Sequence, residues 1–152
     1  LYFPACSTGD NSYSVLLSKS PLTNISWGTQ IKYKRSLNDN NGWHFGNKLE
    51  ISSWLSYLWN EELSSAIRFL AIDEESIDGN DSLITGRNPT QETANYGGRS
   101  YYLGFSLNIV GQDEQITGHR LALEFLTPLK QDLNGLQMEK GKSLILAYQK
   151  AW

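Results

Sequence analysis

The sequence predicts an all-β protein, an antiparallel up-and-down meander of about seven strands that forms part or all of a transmembrane β-barrel. Three observations carry that expectation. Apolar and polar residues alternate over most of the chain. The apolar half of each alternation holds large side chains for about ten residues, the length of a tilted membrane-crossing strand. No apolar run approaches the ~18 residues a membrane-spanning helix needs. The 152 residues are 39% hydrophobic, 12% aromatic and 19% charged with a net charge of −3, too apolar for disorder and too weakly charged for a nucleic-acid partner.

The elements follow in order. A weak first strand covers 12–19. The clearest alternation runs over 25–37, with Ile25, Trp27, Thr29, Ile31 and Tyr33 on one face and Ser26, Gly28, Gln30, Lys32 and Lys34 on the other. Over 47–59, Leu49, Ile51, Leu55, Tyr57 and Trp59 oppose Lys48, Glu50, Ser52 and Ser56, and Trp54 shares their polar face. After a tight turn at 60–62, Leu63, Ile67, Phe69 and Ala71 oppose Ser64, Ala66 and Arg68. Tyr101, Leu103, Phe105, Leu107 and Ile109 then oppose Ser100, Gly104, Ser106 and Asn108. Leu121, Leu123 and Phe125 oppose Arg120, Ala122 and Glu124, and Leu144, Leu146, Tyr148 and Trp152 oppose Ser143, Ala147 and Gln149.

A soluble β-sandwich or a lipocalin-like barrel also alternates. Loop lengths and aromatics favour the membrane. With a periplasmic C-terminus, the connections at 20–24, 60–62 and 111–118 are periplasmic and those at 38–42, 73–98 and 131–141 external, so the longest falls outside and the tightest inside. The same orientation puts Trp27, Trp59 and Trp152 at the periplasmic strand ends, and Tyr33, Phe45 and Tyr101 at the external ends. All lie on the apolar face with Tyr148, as interfacial belts. Ser53 and Ser65 are unhelpful on that face. Arg35 and Lys150 share it near the interfaces, where a charge costs only about 0–1 kcal/mol and can snorkel.

The opposite face is expected to line the lumen with Lys32, Lys34, Lys48, Glu50, Trp54, Arg68, Arg120, Glu124 and Lys130. This basic wall either draws anionic solutes into a pore or forms cross-strand ion pairs that fill and rigidify the lumen. Trp54 either stacks or plugs, or simply packs.

The final strand, Leu144-Ile145-Leu146-Ala147-Tyr148-Gln149-Lys150-Ala151-Trp152, resembles the C-terminal signal read by the barrel-assembly machinery, with Trp in place of the usual Phe. A wider resemblance rests on Tyr13-Ser14-Val15-Leu16-Leu17, Ser26-Trp27-Gly28-Thr29-Gln30 and Asn40-Asn41-Gly42-Trp43-His44-Phe45-Gly46-Asn47. It extends to Ile77-Asp78-Gly79, Gly118-His119-Arg120-Leu121-Ala122-Leu123-Glu124 and Gln131-Asp132-Leu133-Asn134-Gly135. These segments resemble the outer-membrane proteins of the MetA pathway of phenol degradation, a transporter-like barrel family. The resemblance implies passage of small hydrophobic or aromatic solutes and no catalytic residues. It also implies that the chain corresponds to a C-terminal half. An odd strand count and a leucine in first place agree with a fragment or processed chain whose barrel is closed by an N-terminal half or a second chain.

Other chemistry is scarce. Cys6 is the only cysteine, which excludes an internal disulfide framework and a multi-cysteine zinc site, and the stretch before it lacks a lipoprotein signal. His44 and His119 fall at opposite ends of the barrel, roughly 30 Å apart by strand rise, and share no site. Gly135…Gly141-Lys142-Ser143 is one residue too long for a P-loop and leads into a strand rather than a helix. Asp73, Glu74, Glu75, Asp78 and Asp81 miss the EF-hand spacing and suit a solvated external loop, or a divalent bridge to lipopolysaccharide. The expected protein is a non-enzymatic barrel of a bacterial outer membrane, without cofactor or metal. Its expected partners are the bilayer, lipopolysaccharide and the assembly machinery, and no nucleic acid. A soluble all-β small-ligand module and a membrane-embedded lipid hydrolase are the alternatives.

Overall fold

A computed structural model describes residues 10–19, 24–36, 42–79, 88–112 and 116–150. The chain forms β1 (Asp10–Lys19), β2 (Ile25–Ser36), β3 (Trp43–His44), β4 (Lys48–Leu58), β5 (Leu63–Glu74), β6 (Asp78–Gly79), β7 (Gly98–Val110), β8 (His119–Leu133) and β9 (Ser143–Lys150). Short 3₁₀ turns at Pro89–Gln91 and Thr93–Asn95 lie before β7. The protein is all-β. Seven strands make one antiparallel meander, β1-β2-β4-β5-β7-β8-β9, and β3 and β6 form a separate two-stranded ribbon. The seven-strand sheet is open, and the outer sides of β1 and β9 pair with no strand among the described residues. Among the described residues, no helix is long and apolar enough to cross a membrane.

Strand register sorts side chains into two faces, because residues directly opposite each other point the same way. Trp27, Leu55, Ile67, Phe105, Phe125 and Leu144 make one continuous apolar row across six strands. Ile25, Tyr57, Ser65, Leu107, Leu123 and Leu146 make the next. On β5 the outward series from Leu63 to Ala71 runs about 27 Å along the strand. It ends at a charged row in which Asp73, Arg99 and Asp132 lie in register, with Arg99 Nε 3.0 Å from Asp73 Oδ2.

The apolar face is more exposed than the polar one. Leu55, Ile67, Phe105 and Leu107 are 48–55% exposed, whereas Ser52, Leu70, Ser100 and Tyr102 on the polar face are 4–8% exposed. A flat single layer would expose both faces alike. The sheet therefore curves, with its polar face concave and crowded and its apolar face convex and open.

The two serines that look misplaced on the apolar face have partners there. Ser53 Oγ lies 3.1 Å from Thr29 Oγ1, and Ser65 Oγ accepts a 2.9 Å hydrogen bond from Trp59 Nε1. Paired hydroxyls cost far less in an apolar setting than lone ones. Between β4 and β5 the turn is set by Asn60, whose Oδ1 accepts from the backbone N–H of Glu62 (3.0 Å) and Leu63 (2.7 Å).

The expected seven-strand meander and the turn at 60–62 hold with adjustments. β5 and β8 run three and eight residues past the apolar alternation, to Glu74 and Leu133, because their ladders continue against Gly98 and Arg99 of β7. The 73–98 connection is therefore partly ordered strand rather than one long loop. Segments 20–23, 37–41, 80–87 and 113–115, along with Cys6, Asp81 and Trp152, lie outside the described residues.

Candidate functional site

The site with most chemistry is the concave polar face. Register places Lys32, Lys34, Lys48, Glu50, Trp54, Arg68, Arg120 and Glu124 on it together. Its centre is the row Gly28, Trp54, Arg68, Gly104 and Leu126. The two glycines make room for the large residues between and beside them. A Cβ on Gly28 would lie 2.3 Å from Trp54 Cζ2, so the indole lies over bare backbone. A Cβ on Gly104 would lie 2.8 Å from Glu124 Oε1 and 3.5 Å from Arg68 Cβ.

That second gap is occupied by an ion pair, Arg68 Nε to Glu124 Oε1 at 2.8 Å. The Nε–H does not aim at the carboxylate, so the contact is electrostatic rather than an aligned hydrogen bond. Arg120 donates to Asn108 Oδ1 at 2.7 Å, and Lys48 Nζ lies 3.4 Å from Glu74 Oε2. Much of the basic wall is thus partnered within the sheet. The Tyr102 hydroxyl, by contrast, is buried with no hydrogen-bond partner among the described residues.

Two hollows open on this face. One of about 380 Å³ lies among Trp54, Arg68, Asn108, Arg120 and Glu124. The other, about 320 Å³, lies at the far strand ends between Lys32, Lys34, Lys48, Glu50, Glu74 and Phe45. A larger hollow, about 510 Å³, is instead a trough on the convex face with walls such as Tyr57, Ile67, Phe105 and Phe125. Its lining is mostly apolar, with Ser56, Ser65 and Ser106 among it.

Two expected placements change. Lys130 does not join the polar row. A bulge shifts the β7–β8 register between Tyr101 and Tyr102, so Tyr102 opposes Pro128 while Tyr101 opposes Lys130, and Leu129 is the extra residue. Lys130 therefore shares the convex face with Tyr101, at the rim beside the charged row. Phe45 leaves the apolar face as well. It follows the β3–β6 ribbon, packs edge-on against Trp43 (5.2 Å, 83°) and walls the 320 Å³ hollow over the polar face.

The remaining aromatics keep their face. Trp27, Tyr33, Trp59, Tyr101 and Tyr148 lie outward, with Trp59 edge-on to Tyr57 at 4.8 Å and Tyr101 stacked on Phe69 at 6.3 Å. Their positions run diagonally to the register. Trp27 shares a row with mid-strand Ile67, while Tyr148 shares one with Leu121 and Ile109 four residues further along. Strands tilted against the axis of a curved sheet produce that drift.

The histidines stay apart in different elements. His44, in the ribbon, has Nε2 3.8 Å from Asp78 Oδ2. His119 opens β8 on the convex face, with Nδ1 2.5 Å from the Tyr148 hydroxyl. The acidic segment is likewise divided among partners: Asp73 to Arg99, Glu74 to Lys48, Glu75 to Asn47 and Asp78 to His44. No group of three or more metal-binding side chains occurs among the described residues.

Sequence reasoning missed Glu74 and Tyr102 as members of the polar face. For Glu74 no local signal existed, since the alternation breaks before it. Gly28 and Gly104, each opposite a large inward residue, were the available clue to close packing. No family profile, curated protein or solved structure matches the chain.

Proposed function

We infer that this chain is a segment of a bacterial outer-membrane β-barrel that passes small solutes, hydrophobic or aromatic ones among them, by diffusion and without catalysis. The inversion of burial carries this reading. Rows of Leu, Ile, Phe, Trp and Tyr cover the convex face, with Leu55 and Ile67 more than half exposed, while charged and hydroxyl groups crowd the concave one. An apolar surface this continuous marks a partner or a bilayer. Its outward height of roughly 20 Å after a 35–45° tilt, plus side chains at each rim, suits the ~25 Å apolar band of a barrel.

A soluble small-ligand module would need a second layer over Leu55, Ile67 and Phe105, and no described element covers them. Open edges are untenable in hydrocarbon, so the proposal includes further strands that close β1 and β9 into a barrel. Lipid would meet the convex face, lipopolysaccharide the external rim, and the assembly machinery the β9 edge.

Single-tryptophan variants in vesicles of brominated phosphatidylcholine test the reading. Bromine should quench Trp27 and Trp59 strongly and Trp54 weakly, with Trp54 open to aqueous acrylamide. A chain that is monomeric in buffer without detergent, or Trp54 quenched like Trp27, overturns it. Vesicle conductance then separates an open lumen from a filled one.

A further inference from the structure

The hollow between Trp54 and Arg120 is not absorbed by a simple pore wall. Its floor is made of small residues in two neighbouring rows, Ser56, Ala66 and Ser106 in one and Ser64, Ala122 and Ala147 in the next. Large side chains stand round them. Trp54 and Arg68 share the row on one side, Glu124 continues the first floor row, and Arg120 stands in the row beyond the second. Small residues ringed by large ones make a bowl of about 380 Å³ on the polar face.

The wall of the bowl is chemically divided. On one side lies the Trp54 indole, held against the bare backbone of Gly28. A ring seated that way loses little further freedom when a second flat group stacks on it. The other side is cationic. Two arginines face one glutamate, so the described lining carries one positive charge in excess. Glu124 is committed to Arg68 at 2.8 Å. Arg120 meets a neutral partner among the described residues, donating from Nη2 to Asn108 Oδ1 at 2.7 Å. That bond turns the guanidinium toward the bowl, at a row about 14 Å along the strands from Trp54, and leaves most of its N–H donors for another acceptor.

We propose that this bowl binds a small aromatic monocarboxylate, its ring stacked on Trp54 and its carboxylate taken by Arg120 beside Asn108. The planar guanidinium matches a carboxylate with parallel N–H donors, a fit that a neutral ring alcohol cannot reproduce. A second negative charge on the ligand would meet Glu124 with no cation of the lining left to balance it. The inference rests on the pore reading for the passage of such solutes, whereas the bowl itself needs only β4, β5, β7, β8 and β9.

The test uses the full chain in zwitterionic micelles, with benzoate, acetate and benzyl alcohol as probes followed by saturation-transfer NMR. Benzoate should bind saturably and weaken with salt. Acetate should bind about 10-fold more weakly, and benzyl alcohol should show only unsaturable micelle partition. Arg120→Gln should weaken benzoate about 10-fold and Trp54→Leu about 5-fold, with circular dichroism unchanged. Glu124→Gln works in the opposite direction. It releases Arg68 and should tighten benzoate about 3-fold, a gain that structural damage does not produce. If Glu124→Gln fails to fold, Arg120→Gln, at an exposed position, decides alone. Benzoate behaving like benzyl alcohol, or full-strength binding in the folded Arg120→Gln variant, overturns the proposal. Failure of the bromine experiment with benzoate binding intact removes the membrane reading alone. Loss of benzoate binding with the bromine pattern intact removes this proposal alone.

Discussion

At the scale of single residues, the polar face is organised by what two glycines leave out. Gly28→Val places methyl groups inside the volume of the Trp54 ring, so the indole must leave its seat over β2. We expect a loss of about 1–3 kcal/mol in unfolding free energy, read from urea titration in lipid vesicles, and a gain in acrylamide access to Trp54. Tyr102→Phe should act in the opposite sense. Its hydroxyl is buried without a partner among the described residues, so removal is expected to be neutral or stabilising by up to about 1 kcal/mol in the same titration. A loss above that value would show a partner in the folded protein. The faces of Trp54, Arg68 and Glu124 were legible from parity alone. That Arg68 pairs with Glu124 was not, since they lie on strands separated by β7 and meet only because Gly104 between them has no side chain.

Turns and bulges decide matters at the scale of elements. Asn60 organises the β4–β5 turn with one oxygen shared by two backbone donors. Asn60→Ala should cost about 1–2 kcal/mol, and Asn60→Asp should recover most of it because the carboxylate offers the same acceptor. The β8 bulge is a second test. Deleting Leu129 removes the extra residue and should leave Lys130 on the convex face opposite Tyr101, now in an unbroken ladder. A cysteine at 130 should then keep its contact with a lipid-depth quencher, and a switch to fast reaction with a water-borne maleimide would show that Leu129 is not the surplus residue. Strand existence and the 60–62 turn were readable because alternation and the Asn-Glu-Glu sequence are local. The bulge was not. Leu-Thr-Pro-Leu-Lys continues a plausible alternation, and only pairing with β7 shows where one residue is surplus.

For the molecule as a whole, the question is what the convex face meets. Ile67 sits near the middle of that face, in register with Leu55 and Phe105. Ile67→Lys should cost about 2–4 kcal/mol if hydrocarbon covers it, and close to nothing if water does. Urea unfolding from vesicles measures the difference directly. Sequence alone determined the all-β meander, the division of nearly every strand into an apolar and a polar face, and the aromatic outward positions at the strand ends. Those follow from the two-residue period of an extended chain, which is a property of the backbone and needs no partner. Only the tertiary structure decided which face is concave, that Lys130 turns outward, that Phe45 caps the polar face, and which charges neutralise each other. Each of these depends on curvature, register shift or a contact between distant strands, and such non-local geometry leaves no mark on local alternation.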